Sequence, residues 1–152
     1  MRVPRTKKEV VLEAISMVQH LSSVFLRRRA ELAAEVGLTE QQWLLLERIS
    51  EEHFMPSMFA KERESSPAAV SKILRQLTDK GFIASALNDC DGRKRAYTLT
   101  AAGKRIMTVL RSHREQAVDR IWMGMDERSL NEFCDFGAQL VASIESYSRK
   151  EG

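Results

Sequence analysis

The sequence predicts a mostly α-helical fold with one small β-hairpin set among the helices, and three observations carry that prediction. Apolar residues recur at three- and four-residue steps along most of the 152 residues, the pattern of helices with one buried face. Only seven glycines and three prolines are present, and several stand where helices would begin or end. Between Phe82 and Leu99 the helical period gives way to two short runs around an Asp- and Gly-rich turn.

The elements follow in order. After a basic arm with Arg2, Arg5, Lys7 and Lys8, the residues Val11, Ile15, Val18, Leu21, Phe25 and Leu32 mark a long amphipathic helix that Gly37 stops. Thr39, with Gln42 three residues on, is a capping-box pair for a helix from Glu40 to Ser50, with Trp43, Leu44, Leu46 and Ile49 turned inward. Pro56 opens a short helix to about Glu64, with Met58, Phe59 and Ala60 inward. Ser65 and Ser66 before Pro67 cap the next helix, whose apolar stripe is Val70, Ile73, Leu74 and Leu77 and whose stop is Gly81. Its other face holds Ala68, Ser71, Lys72 and Arg75, which are small, hydroxylated or basic.

Phe82 to Leu87 reads as a strand, Asn88 to Lys94 as a turn, and Arg95 to Leu99 as the returning strand. Thr100 caps a second long helix with Ile106, Val109, Leu110, Val118, Ile121 and Trp122 as its apolar positions. Asp126 caps the last, with Leu130, Phe133, Leu140, Val141 and Ile144. Two short helices followed by a hairpin make a winged helix-turn-helix lobe, because a second helix after a tight turn can enter a DNA major groove while the hairpin reaches alongside. The long outer helices must bury their stripes against each other or against a second copy. Three regions follow: 1–37, an N-terminal arm and dimerisation helix; 38–100, the winged helix-turn-helix lobe; and 101–152, C-terminal dimerisation helices.

Charge agrees with that division. The net charge is only +3. From Lys61 to Arg95, however, eight bases stand against five acids, whereas from Asp126 to Tyr147 five acids face the single base Arg128. The middle of the chain attracts phosphate and the C-terminal helix repels it. Cys90 and Cys134 have neither disulfide-framework nor zinc-ligand spacing, which fits a reducing, cytoplasmic setting. No signal peptide or apolar run of about 20 residues is read, so no membrane partner is expected. His20, His53 and His113 fall on separate segments, and no P-loop, GxSxG, HExxH or paired-carboxylate arrangement occurs. The expectation is a protein that is not an enzyme and holds no cofactor or metal.

Three linked stretches, LTEQQW at Leu38 to Trp43, FAKERESSPAAVSKILRQLTDKGFI from Phe59 to Ile83 and DGRKRAYTLTAAG from Asp91 to Gly103, resemble in order and spacing the MarR (multiple antibiotic resistance regulator) family, over nearly the whole chain. The resemblance implies a two-fold homodimer of intertwined N- and C-terminal helices with two lobes, each offering a recognition helix and a wing to a pseudo-palindromic operator. A Thr-Arg pair of the family's recognition helix is matched by Ser71 and Lys72. A lysine holds phosphate as a point charge but lacks the fork that arginine offers guanine, so Lys72 is expected to position rather than read. The family's Asp-x-Arg wing motif is matched by Asp91 and Arg93, with Arg93 expected in the minor groove. The chain departs from the family pattern at Arg63, where an apolar residue is usual, and at Arg75 and Gln76, where an Asp-Arg pair is usual. It also carries Ala84, Ser85 and Ala86 where an arginine often opens the first wing strand.

The candidate DNA-binding residues are therefore Ser66, Ala68, Ser71, Lys72, Arg75, Asp91, Arg93, Lys94 and Arg95. The alternative for the charged ones is a solvated basic face, and capping alone explains Ser66. Many relatives in the family respond to small aromatic or phenolic acids, for which a cation beside an aromatic wall is needed. His20, Arg27, Arg28 and Trp43 are the candidates, although Trp43 on an apolar stripe is more often plain core, His20 more often a surface residue, and the run Arg27 to Arg29 alternatively a solvated turn. Cys90 at the wing reads as an exposed bystander and Cys134 as a small core or interface residue. The function expected is a sequence-specific DNA-binding regulator, a repressor released by an effector. A winged-helix adaptor that binds protein instead of DNA is the competing class.

Overall fold

The computed structural model describes residues 5–51, 54–88 and 91–150, and the side chains of residues 88, 91–94 and 150 lie outside that description. The chain divides into two compact units, residues 1–111 and 112–152.

In the first unit, helix α1 runs Lys7–Glu35 from a capping box in which Thr6 accepts the Glu9 amide and Glu9 returns to the Thr6 amide. It ends at Val36, and Gly37 takes the left-handed turn at φ 74° that a residue without Cβ adopts at no cost. Helix α2 (Glu40–Ser50) starts on the expected Thr39–Gln42 box. Helix α3 (Pro56–Glu62) is shorter than the sequence suggests, because Glu64 swings to φ 49° and turns the chain. Helix α4 (Pro67–Asp79) is capped by the Ser66 hydroxyl, which accepts the Ala69 amide at 3.1 Å, and Gly81 at φ 73° closes it.

Strands β1 (Ile83–Asn88) and β2 (Asp91–Leu99) form an antiparallel hairpin. The turn expected over Asn88 to Lys94 is thus largely strand. Pairing stays in register from Ile83 opposite Leu99 to Leu87 opposite Arg95, then jumps to Asn88 opposite Asp91, so residues 92–94 fall in the irregularity. Such a bulge lets backbone bonds continue past residues that a propensity reading gives to the turn. The Thr100 hydroxyl accepts the Gly103 amide at 3.1 Å and opens helix α5 (Ala101–Ala117).

The core lies in this unit. Trp43, Leu45, Leu46 and Ile49 of α2 meet Phe59 and Ala60 of α3, Val70, Leu74 and Leu77 of α4, Ile83 of β1, and Met107 and Leu110 of α5. Three expectations change. Leu45, which the periodicity left outside the stripe, is fully buried while Leu44 is half-buried, since α2 is enclosed on more than one side. Met58 is 54% exposed, because the short α3 has room to bury only Phe59 and Ala60. Val109 on α5 is exposed, and Met107 takes the inward place.

Gly103 is fixed by packing rather than by conformation: a Cβ there would collide with the backbone of Phe82. The close crossing it permits also brings the Thr100 amide onto the Phe82 carbonyl at 3.0 Å.

Helix α1 is not the simple amphipathic rod that its period suggests. Of its residues only Leu32 and Ala33 are buried, and Val10, Val11, Leu12, Ile15, Met17, Val18, Phe25 and Leu26 are all exposed in the single chain. An 18-residue stretch of α1 has a mean hydropathy of 1.3, which by length and composition is enough to cross a membrane. This corrects the expectation that no such stretch exists: the apolar residues are interspersed with Ser, Gln and His rather than continuous. A helix apolar on several sides is equally what the centre of an assembly requires.

In the second unit a π-type turn, Val118–Trp122, leads on to α6 (Glu127–Lys150). Asp126 caps α6 as expected, accepting the Ser129 amide at 2.9 Å. That bond holds the Asp126 carboxyl below its ordinary value. Phe133, Phe136, Val141, Ile144 and Tyr147 are each more than half exposed. Cys134 is exposed too, so it is no core residue.

Candidate nucleic-acid interface

The site is built on α4. Its spacing puts Val70, Leu74 and Leu77 into the core, with Ile73 half-buried beside them. Ala68, Ser71, Lys72 and Arg75 are therefore left exposed on the outer side. Lys72 and Arg75 make no ion pair among the described residues. The contrast with other arginines is direct. Arg27 and Arg28 both pair with Glu31, Arg29 with Glu47, and Arg48 with Glu51 and Glu62. The Arg48 guanidinium is accordingly raised above its ordinary value, through hydrogen bonds to Glu51 first and Glu62 second.

The turn between α3 and α4 is closed by the Ser65 amide on the Ala60 carbonyl at 2.9 Å. At the first departure from the family pattern, Arg63 stands over the Phe59 ring with its guanidinium carbon 5.9 Å from the centroid. The position still meets the aromatic core from outside, through a cation instead of an apolar side chain.

On the hairpin, Arg95 is exposed and sits opposite Leu87, itself 67% exposed. The backbone of Asp91, Arg93 and Lys94 belongs to β2, and the side chains of these three lie outside the described part of the structure. Asp89 and Cys90 lie outside it altogether. Ser66 carries the α4 cap and so has a structural duty whatever else it does.

The residues singled out for an effector do not come together. His20 and Arg27 are exposed on α1, and Arg27 lies beside Glu31. Trp43 is 3% exposed, inside the core. The cation on its ring is neither Arg27 nor Arg28 but Arg29, 4.7 Å from the centroid, which also bonds Glu47 at 2.6 Å. Sequence reasoning missed Arg29 because three consecutive arginines differ only in helix phase, and one residue is a 100° rotation. A separate open groove of about 550 Å³ lies among the end of α2, the end of β2 and α5. Ile49, Leu99 and Met107 line it together with Ser50, Thr98 and Thr108, and with Lys104 and Arg111, which form no ion pair among the described residues.

Another missed residue is Gln42. It is 4% exposed, the one buried polar side chain among the described residues. Its carbonyl oxygen accepts the Thr39 amide at 3.0 Å, and its amide nitrogen donates to Gln76 Oε1 on α4, also at 3.0 Å. The capping motif reveals the first bond and not the second.

No protein-family model and no curated protein matches the chain. Solved structures do. A MarR family transcription regulator superposes with a TM-score of 0.85 at 17% identity, over 94% of this chain and 95% of that one. The fold is that of the MarR-type winged-helix regulators. The MepR–DNA complex of S. aureus matches with a TM-score of 0.69 at 15% identity, over 84% of this chain and 94% of that one. CouR from Rhodococcus jostii, bound to p-coumaroyl-CoA, matches at 0.66 and 17% identity, over 82% of this chain and 88% of that one. At these identities it is the backbone that is shared, so the outer residues of α4 and the hairpin need their own account.

Proposed function

We propose that this chain is a sequence-specific DNA-binding transcription regulator that works as a homodimer in the cytoplasm. The observation that carries the reading is the outer face of α4, where Ser71, Lys72 and Arg75 stand exposed with both cations unpaired among the described residues, on a helix-turn-helix whose fold is shared with a protein solved on DNA. Cations left without carboxylates keep their full field for phosphate. In this reading α4 enters the major groove, Lys72 and Arg75 hold the backbone or base edges, and Arg93 reaches the minor groove from the hairpin.

The dimer follows from apolar surface that the single chain leaves uncovered on α1 and, separately, on α6. Binding of two half-sites about one helical turn apart blocks transcription, and a small organic acid that prefers a different lobe spacing releases it. The groove beside α5 offers such an acid two cations, Lys104 and Arg111, over an apolar floor.

The test is fluorescence anisotropy on DNA flanking the protein's own gene and on random duplex, at about 50 and 200 mM salt. A regulator that neutralises several phosphates prefers the former and loses orders of magnitude in affinity across that salt range. Equal, weak and salt-insensitive binding to both would favour the adaptor reading instead.

A further inference from the structure

Resting on the DNA-binding reading, we propose that Gln76 is a positioning residue: through its bond to the buried Gln42 it fixes the roll of α4 and so determines which sequence the outer face reads. The inner face of α4 is a smooth apolar stripe of Val70, Leu74 and Leu77. Such a stripe decides which side faces in, but burial of apolar area is non-directional and does not by itself single out one roll angle. A hydrogen bond is directional, and weakens steeply once its angle is lost.

The Gln42 side chain is held at both ends. Its oxygen is committed to the Thr39 amide within the α2 cap, which leaves its nitrogen aimed at Gln76 Oε1, 3.0 Å away. Because Gln42 is 4% exposed, its amide has little water to turn to, and a roll of α4 away from it would strand a buried donor. Gln76 lies one turn after Lys72 and directly after Arg75, so the same bond sets the direction of both. A roll of about 15° moves a side-chain end roughly 7 Å from the helix axis by about 2 Å. Recognition geometry tolerates only about 0.5 Å.

The experiment compares the full-length wild type with Gln76→Met, which keeps length but removes the acceptor, and Gln76→Glu, which keeps the acceptor. Each is titrated onto a duplex selected by the wild type from a random pool and onto unselected duplex of equal length. Expected is a drop of about tenfold in the ratio of selected to unselected affinity for Gln76→Met, with unselected affinity within about twofold of wild type. Gln76→Glu should lose affinity for both duplexes through its charge while keeping the wild-type ratio. In the wild type the Gln42 side-chain amide protons should exchange slowly, and in Gln76→Met that protection should vanish.

A Gln76→Met ratio within twofold of wild type, or undiminished Gln42 protection, overturns the positioning role and leaves the regulator reading standing. Failure of the wild type to select any duplex overturns the regulator reading and the positioning role together.

Discussion

Arg93 and Gly103 both fall in the stretch from Asp91 to Gly103 and answer to different physics. Arg93 is proposed to enter the minor groove, where a guanidinium meets concentrated negative potential. Arg93→Ala is expected to weaken binding to the preferred duplex about tenfold, roughly 1.4 kcal/mol, with an unchanged circular dichroism spectrum. Unchanged affinity would remove the hairpin from the interface. Gly103 instead faces the Phe82 backbone, which cannot yield as a side chain would. Gly103→Ala should cost about 1–3 kcal/mol of stability, read as a lower urea midpoint at constant slope. A variant as stable as wild type would mean that α5 can move off the Phe82 backbone freely.

Helix ends were legible from single residues, because a cap is a contact between neighbours three positions apart. Thr39–Gln42, Ser66, Thr100 and Asp126 all do in the structure what their spacing promises. The Asp126 cap carries a pH consequence. Its carboxyl is held below the ordinary value, by the Ser129 amide first and the Ser129 hydroxyl second. The folded state therefore binds the proton less readily than the unfolded one. The contribution is present in full above the unfolded value and is lost as pH falls through the lowered folded one. The thermal midpoint followed into acid should fall less steeply for Asp126→Asn than for wild type, and identical profiles would refute the cap's role. Inward faces were less legible. The hidden residue on α2 was Leu45 and the exposed one on α3 was Met58, since enclosure depends on neighbours that a period does not name.

For the whole molecule, uncovered apolar surface is the dominant quantity. Ile144 is 57% exposed on α6 and Ile15 is 50% exposed on α1, and burying the exposed half of either against a second copy is worth about 1–1.5 kcal/mol. Ile144→Glu and Ile15→Glu are each expected to shift sedimentation from dimer towards monomer and to weaken operator binding, since two half-sites act together only when joined. A fully dimeric Ile144→Glu would exclude that face of α6 from the interface. Lys104→Ala combined with Arg111→Ala should leave DNA affinity within about threefold and abolish release by an aromatic acid. Retained release would place the effector elsewhere.

Element order, side-chain caps and glycine stops depend on neighbours a few residues apart, and this chain's sequence determined these, with Gly37 and Gly81 in left-handed turns, although the earlier end of α3 at Glu62 was not among them. The sequence also placed Ser71, Lys72 and Arg75 on one exposed helix face, because the 3.6-residue period fixes which residues lie opposite Val70, Leu74 and Leu77. Tertiary structure decided what joins distant positions. It put Arg29 rather than Arg27 on Trp43, tied Gln42 to Gln76 across 34 residues, and extended the hairpin through a shift of register. Each of these depends on a rotation or a slide between elements, and a change of one residue in phase or register, invisible in a linear pattern, would have undone it.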